Sequence, residues 1–230
     1  MRIAVLETST NWCSVALWHE GEISALERLA ENRHGEVALP MLERLLQQAG
    51  VGAADLDAVA FGAGPGSFTG LRIACGIVQG LAFARDLPVL GISSFEAIAE
   101  EAGGAKVLAC LDARMGDVYY SAMQHNASAE LHPWLEVEHP VCVAPVAVRS
   151  PAGRGWIGCG SGFAMHGAAL RGQFGESLAG VRVEIRPGAV AIARLAGPRL
   201  VAGEGVDAAL AAPFYLRNKV ALTSRERAAR

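Results

Sequence analysis

The sequence lacks the apolar segments that target a chain to a membrane or to secretion. No uncharged apolar run reaches the roughly 18 residues that a membrane-spanning helix needs. The N-terminus meets Glu7 after four apolar residues, whereas the apolar core of a secretory signal takes roughly 7–15 residues. We therefore expect a cytoplasmic protein with no membrane contact.

Paired cysteines are also missing. The chain has five cysteines, an odd number, and no Cys-x-x-Cys pair. This pattern argues against a disulfide framework and against a zinc ribbon. We interpret the five as small apolar residues with reduced thiols: Cys13, Cys75, Cys110, Cys142 and Cys159.

A strongly basic face, which proteins that grip nucleic acid alone usually carry, is not apparent. The formal net charge is −3, and basic residues are concentrated only near the C-terminus: Arg217, Lys219, Arg225, Arg227 and Arg230. We interpret this segment as a solvated tail. If the ultimate substrate is a nucleic acid, another subunit should supply most of the phosphate contacts.

The chain does contain enough apolar residues, 52%, for a large packed core. Strand, acidic turn, strand, turn and strand open the chain and return 105 residues later, with Glu7 matched to Asp112. We predict two lobes, residues 1–104 and 105–230, each of the α/β class. The predicted strands are 3–6, 13–18, 23–29, 56–62, 89–92, 106–111, 117–123, 130–135 and 181–185. The predicted helices are 36–48, 70–85, a helix capped by Ser94 and ending near 101, 163–174 and 189–201.

A glycine-rich turn precedes the second helix. Its residues are Gly64, Pro65, Gly66, Ser67, Thr69 and Arg72. Such a turn can direct N–H groups at an anion, or it can serve only as a tight turn. It is not a Walker A loop, because no Gly-Lys-Ser/Thr follows, and Thr69 stands where the third glycine of Gly-x-Gly-x-x-Gly belongs.

Two polar turns could form a phosphate or magnesium site if they face each other across a cleft. The residues concerned are Glu7, Thr8, Ser9, Asp112, Gly158 and Gly160. The alternative is ordinary turn chemistry, because Asp, Ser and Thr side chains satisfy nearby backbone groups. Both interpretations stay open at this point.

No catalytic residue and no metal ligand can be assigned from spacing. No two of the six histidines stand four residues apart, as a helical metal pair would. Ser161 is flanked directly by Gly160 and Gly162, which is the wrong spacing for a nucleophile elbow.

The first two helices offer a candidate surface for another chain. Gly76, Gly80 and Ala84 form a ridge of small residues, and a glycine inside a helix costs about 1 kcal/mol relative to alanine. The ridge therefore packs closely against something, either the protein's own sheet or a second chain. The first helix is apolar over a wide arc, and we include three of its residues in the candidate interface: Met41, Leu42 and Leu45.

Four segments resemble the TsaB (YeaZ) family. They are Gly64–Arg72, Pro88–Ala97, Asp112–Arg114 followed by Val118 and Tyr119, and Pro213–Arg217. The family usually opens with Asp-Thr-Ser, whereas this chain has Glu7-Thr8-Ser9. The resemblance implies the duplicated actin-like, ribonuclease H-like two-lobe fold, with the two acidic turns facing each other across a cleft.

The resemblance also implies a function. It is that of a non-catalytic partner of the TsaD-type subunit, which transfers threonylcarbamoyl to adenosine 37 of tRNA. A TsaE-type ATPase joins that assembly, and tRNA is held mainly by the complex. No cofactor of its own is implied, and ATP or ADP would be bound, if at all, in the assembled complex. Because the two subunits have related folds, the surface that binds the partner can also pair with a second copy of this chain. The resemblance therefore implies a homodimer when the partner is absent.

TsaD-type proteins carry a His-x-x-x-His metal pair in the segment that resembles residues 91–98. Here Ser94 and Ile98 stand at those positions, and neither side chain is a useful metal ligand. An independent actin-like ATPase or small-molecule kinase is the competing hypothesis. A peptidase is a third, disfavoured by the missing metal pair and elbow.

Overall fold

The computed structural model describes residues 1–217 of the chain. Its strands are β1 (Arg2–Glu7), β2 (Trp12–His19), β3 (Glu22–Leu29), β4 (Ala58–Gly64), β5 (Val89–Ser93), β6 (Lys106–Asp112), β7 (Val118–His125), β8 (Trp134–Val143), β9 (Trp156–Cys159) and β10 (Leu178–Arg182). Its helices are α1 (His34–Gln48), α2 (Phe68–Phe83), α3 (Ser94–Ala102), α4 (Ser161–Phe174) and α5 (Ala189–Val201).

The strands form two sheets of the same topology. The first has the order β3-β2-β1-β4-β5 and the second the order β8-β7-β6-β9-β10. In each sheet the first three strands are antiparallel and the last two continue in parallel from the first. Glu7 and Asp112 are the last residues of β1 and β6, so the repeat seen in the sequence corresponds to a repeat in the fold. This is the predicted duplicated actin-like architecture.

Helices cover the sheets in alternating layers. Helices α1 and α2 pack on the outer face of the first sheet, and α4 packs on the outer face of the second. Helices α3 and α5 form the middle layer between the two sheets. Because both faces of the central strands are covered, β1 reads as a continuous apolar run, and Ile3 to Leu6 are fully buried.

The two middle helices cross over between the halves of the chain. Helix α3, from the first half, contacts β6 and β7 of the second sheet, and α5, from the second half, contacts β1, β2 and β4 of the first. The predicted boundary at residues 104 and 105 falls where the chain passes from one sheet to the other. By contact, however, α5 lies against the first sheet.

Four local predictions differ from the structure. Strand β10 spans Leu178–Arg182 and not residues 181–185. Strand β8 begins at Trp134 rather than near residue 130, because the residues before it form a polar turn closed by the Ala129 N–H bond to the Asn126 carbonyl. Strand β9 was not predicted, since four residues, two of them glycine or cysteine, give no periodicity. The N-cap of α3 is Ser93, whose hydroxyl accepts from the Phe95 N–H, and not Ser94.

Within the described residues, no helix is long and apolar enough to cross a membrane. All five cysteines are free thiols, and four of them are buried.

Candidate functional site

A cleft of about 710 Å³ lies between the two lobes. The turn after β1 and the start of α2 line one side, and the turn after β6 and the start of α4 line the other. The two acidic turns therefore face one cleft, as the fold predicts. Residues 183–186, between β10 and α5, and residues 214–217, at the end of the described part of the chain, complete its wall.

Glu7 lies behind the cleft and not in its wall. Its side chain is buried, its Oε1 accepts from the Ser9 N–H, and its Oε2 has no hydrogen-bond partner among residues 1–217. Burial raises the pKa of Glu7 to about 7, although the bonds from Ser9 lower it. Gly62 on β4 gives this carboxylate its space, because a Cβ there would overlap it.

The glycine-rich turn packs directly against the turn after β1. The Thr8 hydroxyl donates to the Gly70 carbonyl at 2.7 Å, and the Ser67 N–H donates to the Ser9 carbonyl at 2.8 Å. A Cβ on Gly66 would come within 2.6 Å of the Ser9 Cβ, and one on Gly70 would overlap the Thr8 backbone. These glycines permit close approach of the chain to itself. The Ser67 N–H, which an anion would need, is already bonded.

The corresponding part of the second lobe is also filled by the chain. The Phe163 ring lies over Gly158, where a Cβ would come within 2.5 Å of it, and Gly160 adopts a left-handed φ of 105° against the Cys110 carbonyl. Phosphate binding by these loops stays a prediction.

Asp112 is held by three neighbours at the cleft. Its N–H donates to the Ser161 hydroxyl at 3.0 Å, and its Oδ2 lies 3.5 Å from an Arg114 guanidinium nitrogen. The His166 Nε2 lies 3.7 Å from its Oδ1. The carboxylate itself accepts from the Arg114 N–H at 3.0 Å, and its contacts among the described residues lie within its own lobe.

Two of the resemblance motifs meet in space. The Arg72 guanidinium stacks on the Phe68 ring at 3.8 Å and donates from Nε to the Tyr215 hydroxyl at 3.0 Å. Gly64 has a φ of 107° and lies under the Phe214 carbonyl, within 2.9 Å of where a Cβ would stand. Sequence spacing gave no sign of this contact, because about 143 positions separate Arg72 from Tyr215.

The ridge of small residues faces away from the rest of the chain. Gly76, Gly80 and Ala84 are exposed, and no heavy atom of the described residues lies within 4 Å of a Cβ built on either glycine. Of the two alternatives left open by the sequence, packing against the protein's own sheet is excluded for this ridge. Phe83, beside it, is 81% exposed.

The apolar residues of α1 divide between the core and the surface. Leu42 and Leu45 are 1% and 3% exposed and belong to the core under the first sheet, so their assignment to a partner interface is wrong. Met41 is half-buried and Leu39 is exposed. The apolar residues of α1 cover more than one face of the helix, so the sequence pattern alone could not show which leucines point into the core.

The two positions that correspond to the TsaD-type metal pair are buried. Ser94 and Ile98 are both 0% exposed. Among the described residues, no group of three His, Cys, Asp or Glu side chains is placed to hold a metal ion.

The structure shows one functional candidate that the sequence did not. Arg217, predicted to belong to a solvated tail, has a side chain only 15% exposed and bonded to Asp117 in the second lobe. The other basic residues of that tail, at 219, 225, 227 and 230, lie outside the described residues.

Comparisons with known proteins give TsaB and YeaZ proteins over nearly the whole chain and a TsaD family model over part of it. The model of the family described as "TsaD: tRNA N6-adenosine threonylcarbamoyltransferase" matches residues 26–130. The "tRNA threonylcarbamoyladenosine biosynthesis protein TsaB" of Haemophilus influenzae is 36% identical, over 96% of this chain and 95% of its own length. The protein of the same name in Escherichia coli is 35% identical over 96% of both chains. The crystal structure of "YeaZ from Pseudomonas aeruginosa" superposes with a TM-score of 0.84, at 36% identity, over 94% of this chain and 99% of that one.

Proposed function

The chain belongs to the TsaB family, and on that premise we propose that it is a non-catalytic scaffold and activating subunit. It would serve the synthesis of threonylcarbamoyladenosine in tRNA by binding a TsaD-type transferase and supporting its activity.

The observation that carries this proposal is the exposed ridge of Gly76, Gly80 and Ala84 on α2. Glycine in a helix surface costs stability, and no contact among residues 1–217 compensates for it. A helix from a second chain can approach such a backbone closely and gain dispersion contacts. Phe83 on α2 and Leu39 on α1, a helix that contacts α2, are exposed apolar side chains, and Met41 on α1 is half-buried.

The match to the TsaD family model supports the identity of the partner. It extends over residues 26–130, which include both α1 and α2. A partner built on the same fold would carry two corresponding helices, and the four helices would form one interface. Related surfaces also permit self-pairing, so we infer an isologous homodimer when the partner is absent.

The closed positions Ser94 and Ile98 support a non-catalytic role. A metal ion needs side chains with free donor atoms, and a buried serine followed by a buried isoleucine does not supply them. We propose that the transfer chemistry belongs to the partner. In the assembled complex, ATP or ADP, a TsaE-type ATPase and tRNA would be bound through the other subunits.

An independent ATPase or small-molecule kinase is the second candidate, and the cleft of about 710 Å³ between the lobes favours it. Several features count against it: Glu7 is buried, the Asp112 carboxylate bonds the Arg114 N–H, and the loops around Gly66 and Gly158 pack against the chain itself. Turnover of ATP, or phosphorylation of a metabolite, by this chain alone would establish this alternative.

Reconstitution of threonylcarbamoyladenosine formation from purified components tests the proposal. We expect the modified nucleoside to form with the TsaD-type and TsaE-type proteins, the adenylate-forming enzyme and this chain together. Omission of this chain should abolish or strongly reduce the product. An equal yield without it would show that it is not an activating subunit.

A further inference from the structure

The chain after α5 runs along one flank of α2. Gln79 Nε2 donates to the carbonyls of Ala208 and Ala211 at 3.3 and 3.0 Å. Further along the helix, Arg72 Nε donates to the Tyr215 hydroxyl at 3.0 Å. We name residues 208–217 the strap, because they then leave α2 and cross to the second lobe.

The strap passes over the glycine-rich turn before it reaches the second lobe. The Phe214 N–H donates to the Ala63 carbonyl of β4 at 2.7 Å, and the rings of Phe68 and Tyr215 lie 5.4 Å apart. Residues 214–217 line the cleft between the lobes. The strap is therefore bonded to the first lobe along most of its length.

Arg217 ends the strap in the second lobe. One guanidinium nitrogen lies 2.6 Å from the Asp117 Oδ2 and 3.3 Å from the Arg114 carbonyl. The other approaches the Met115 Sδ at 3.4 Å. A guanidinium that bonds a carboxylate and a carbonyl at the same time constrains both the distance and the orientation of the two groups. Arg217 therefore constrains the conformation of the turn that contains Arg114 and Asp117.

That turn has an unusual backbone. Arg114, Met115 and Gly116 adopt left-handed φ values of 62°, 57° and 84° in succession. Residues other than glycine rarely adopt this region, because Cβ approaches the following carbonyl. A turn strained in this way depends on the bonds that hold it. They are the Ala113 N–H bond to the Asp117 carbonyl and the bond from Arg217 to the Arg114 carbonyl.

We propose that the strap couples the partner-binding surface of α2 to the turn at residues 114–117, with Arg217 as the positioning residue. The flank of α2 that holds the strap, Arg72 and Gln79, adjoins the ridge of Gly76 and Gly80. A partner seated on the ridge fixes α2 and the strap, and the fixed strap keeps Arg217 on the turn. Conversely, release of Arg217 loosens the strap beside the ridge. By linkage, the two effects have the same free energy.

This inference rests on the proposed function, since it requires a TsaD-type partner on α2. The test uses the full chain and the TsaD-type subunit of the same organism. Affinity is measured by calorimetry, and folding is checked by the thermal transition. For Arg217→Ala we expect the dissociation constant to rise roughly tenfold, within the usual range of couplings between sites. The matched control is Arg154→Ala, which removes an ion pair with Glu176 outside the strap and turn and should bind as the wild type does.

Exchange of the charges of Arg217 and Asp117 distinguishes loss of their specific contact from a general loss of structure. Arg217→Asp alone should bind weakly, and the double variant with Asp117→Arg should recover most of the lost affinity. Hydrogen exchange at residues 114–117 should slow when the partner binds the wild type, but not when it binds Arg217→Ala. If folded Arg217→Ala binds as tightly as the wild type, or if the double variant stays as weak as the single one, the coupling is disproved. Absence of any binding by the wild-type chain would instead refute the proposed function.

Discussion

The hydroxyl of Thr8 donates to the carbonyl of Gly70 at 2.7 Å, joining the turn after β1 to the first turn of α2. The bond is buried, and the glycine lets the two backbones touch. What reads as a phosphate-binding turn in the sequence is thus packed against the chain itself.

This contact predicts opposite effects for one substitution at two positions of α2. Gly70→Ala should destabilise the protein by about 3 kcal/mol or more, because its Cβ would overlap the Thr8 backbone. Gly76→Ala should stabilise it by about 1 kcal/mol, because the site is open and alanine favours the helix. Urea unfolding measures both. Equal stabilities of the two variants would contradict the packing of Gly70.

Gly80→Leu should weaken binding of the TsaD-type subunit and also self-association. A leucine at the ridge would hold a facing helix away along its length, whereas in the part of the chain that the structure describes no atom lies within 4 Å of a Cβ on Gly80. The fold should keep at least its wild-type stability, since leucine is a better helix former than glycine. Calorimetry measures binding of the TsaD-type subunit, and sedimentation measures self-association. Gly203→Leu is unsuitable as a control, because Gly203 has a φ of 88° and a leucine there would strain the backbone.

Gly80→Ala is the better control, because it adds only one methyl group at the same position. We expect it to retain most of the partner affinity. A folded Gly80→Leu protein that binds the partner as tightly as the wild type would show that the ridge faces solvent in the complex.

Glu7 should make stability depend on pH. Its pKa is raised from 4.5 to about 7 by burial, so the folded state prefers the protonated carboxyl. The stabilisation is fully present below pH 4.5 and is lost as the pH rises through about 7. A pKa shift of this size corresponds to about 3 kcal/mol of unfolding free energy.

Glu7→Gln, which cannot ionise, removes that dependence. The wild type should lose up to about 3 kcal/mol relative to Glu7→Gln between pH 4.5 and pH 8. Denaturant unfolding of both proteins across this range gives the difference directly. A constant difference at all pH values would mean that Glu7 is not buried as a carboxylic acid. Glu36→Gln, at an exposed position of α1, is the control.

The isolated chain should bind ATP weakly or not at all. The N–H of Ser67 is bonded within the chain, and no lysine follows the glycine-rich turn. Calorimetry with ATP and magnesium is the measurement, with the assembled complex as the comparison. Low-micromolar affinity of the lone chain would overturn this prediction.

The isolated chain should also show no threonylcarbamoyl transfer. The reason is the buried Ser94 and Ile98 at the positions of the metal pair. Mass spectrometry of tRNA nucleosides, after incubation with the adenylate-forming enzyme and this chain only, should detect no modified adenosine. Detection of the product would assign catalysis to this chain.

The repeat and the strand patterns predicted the fold well, because buried strands and acidic strand ends recur at a fixed offset. Helix α5 was predicted with its observed bounds, 189–201. The site was predicted less well. The sequence could place Glu7 at a strand end, but not show that its side chain turns into the sheet behind Gly62. Likewise, helical spacing identified Leu42 and Leu45 as apolar, but only packing decides that they lie in the core.

The exchange of α3 and α5 between the lobes has a consequence for synthesis of the protein. The inner face of the first sheet is covered by α5, whose last residue is Val201. A nascent chain that has released only residues 1–104 from the ribosome therefore exposes the apolar surface that α5 later covers. The first lobe can be completed only when the chain has emerged as far as Val201, so residues 1–104 cannot reach their native state as they leave the ribosome.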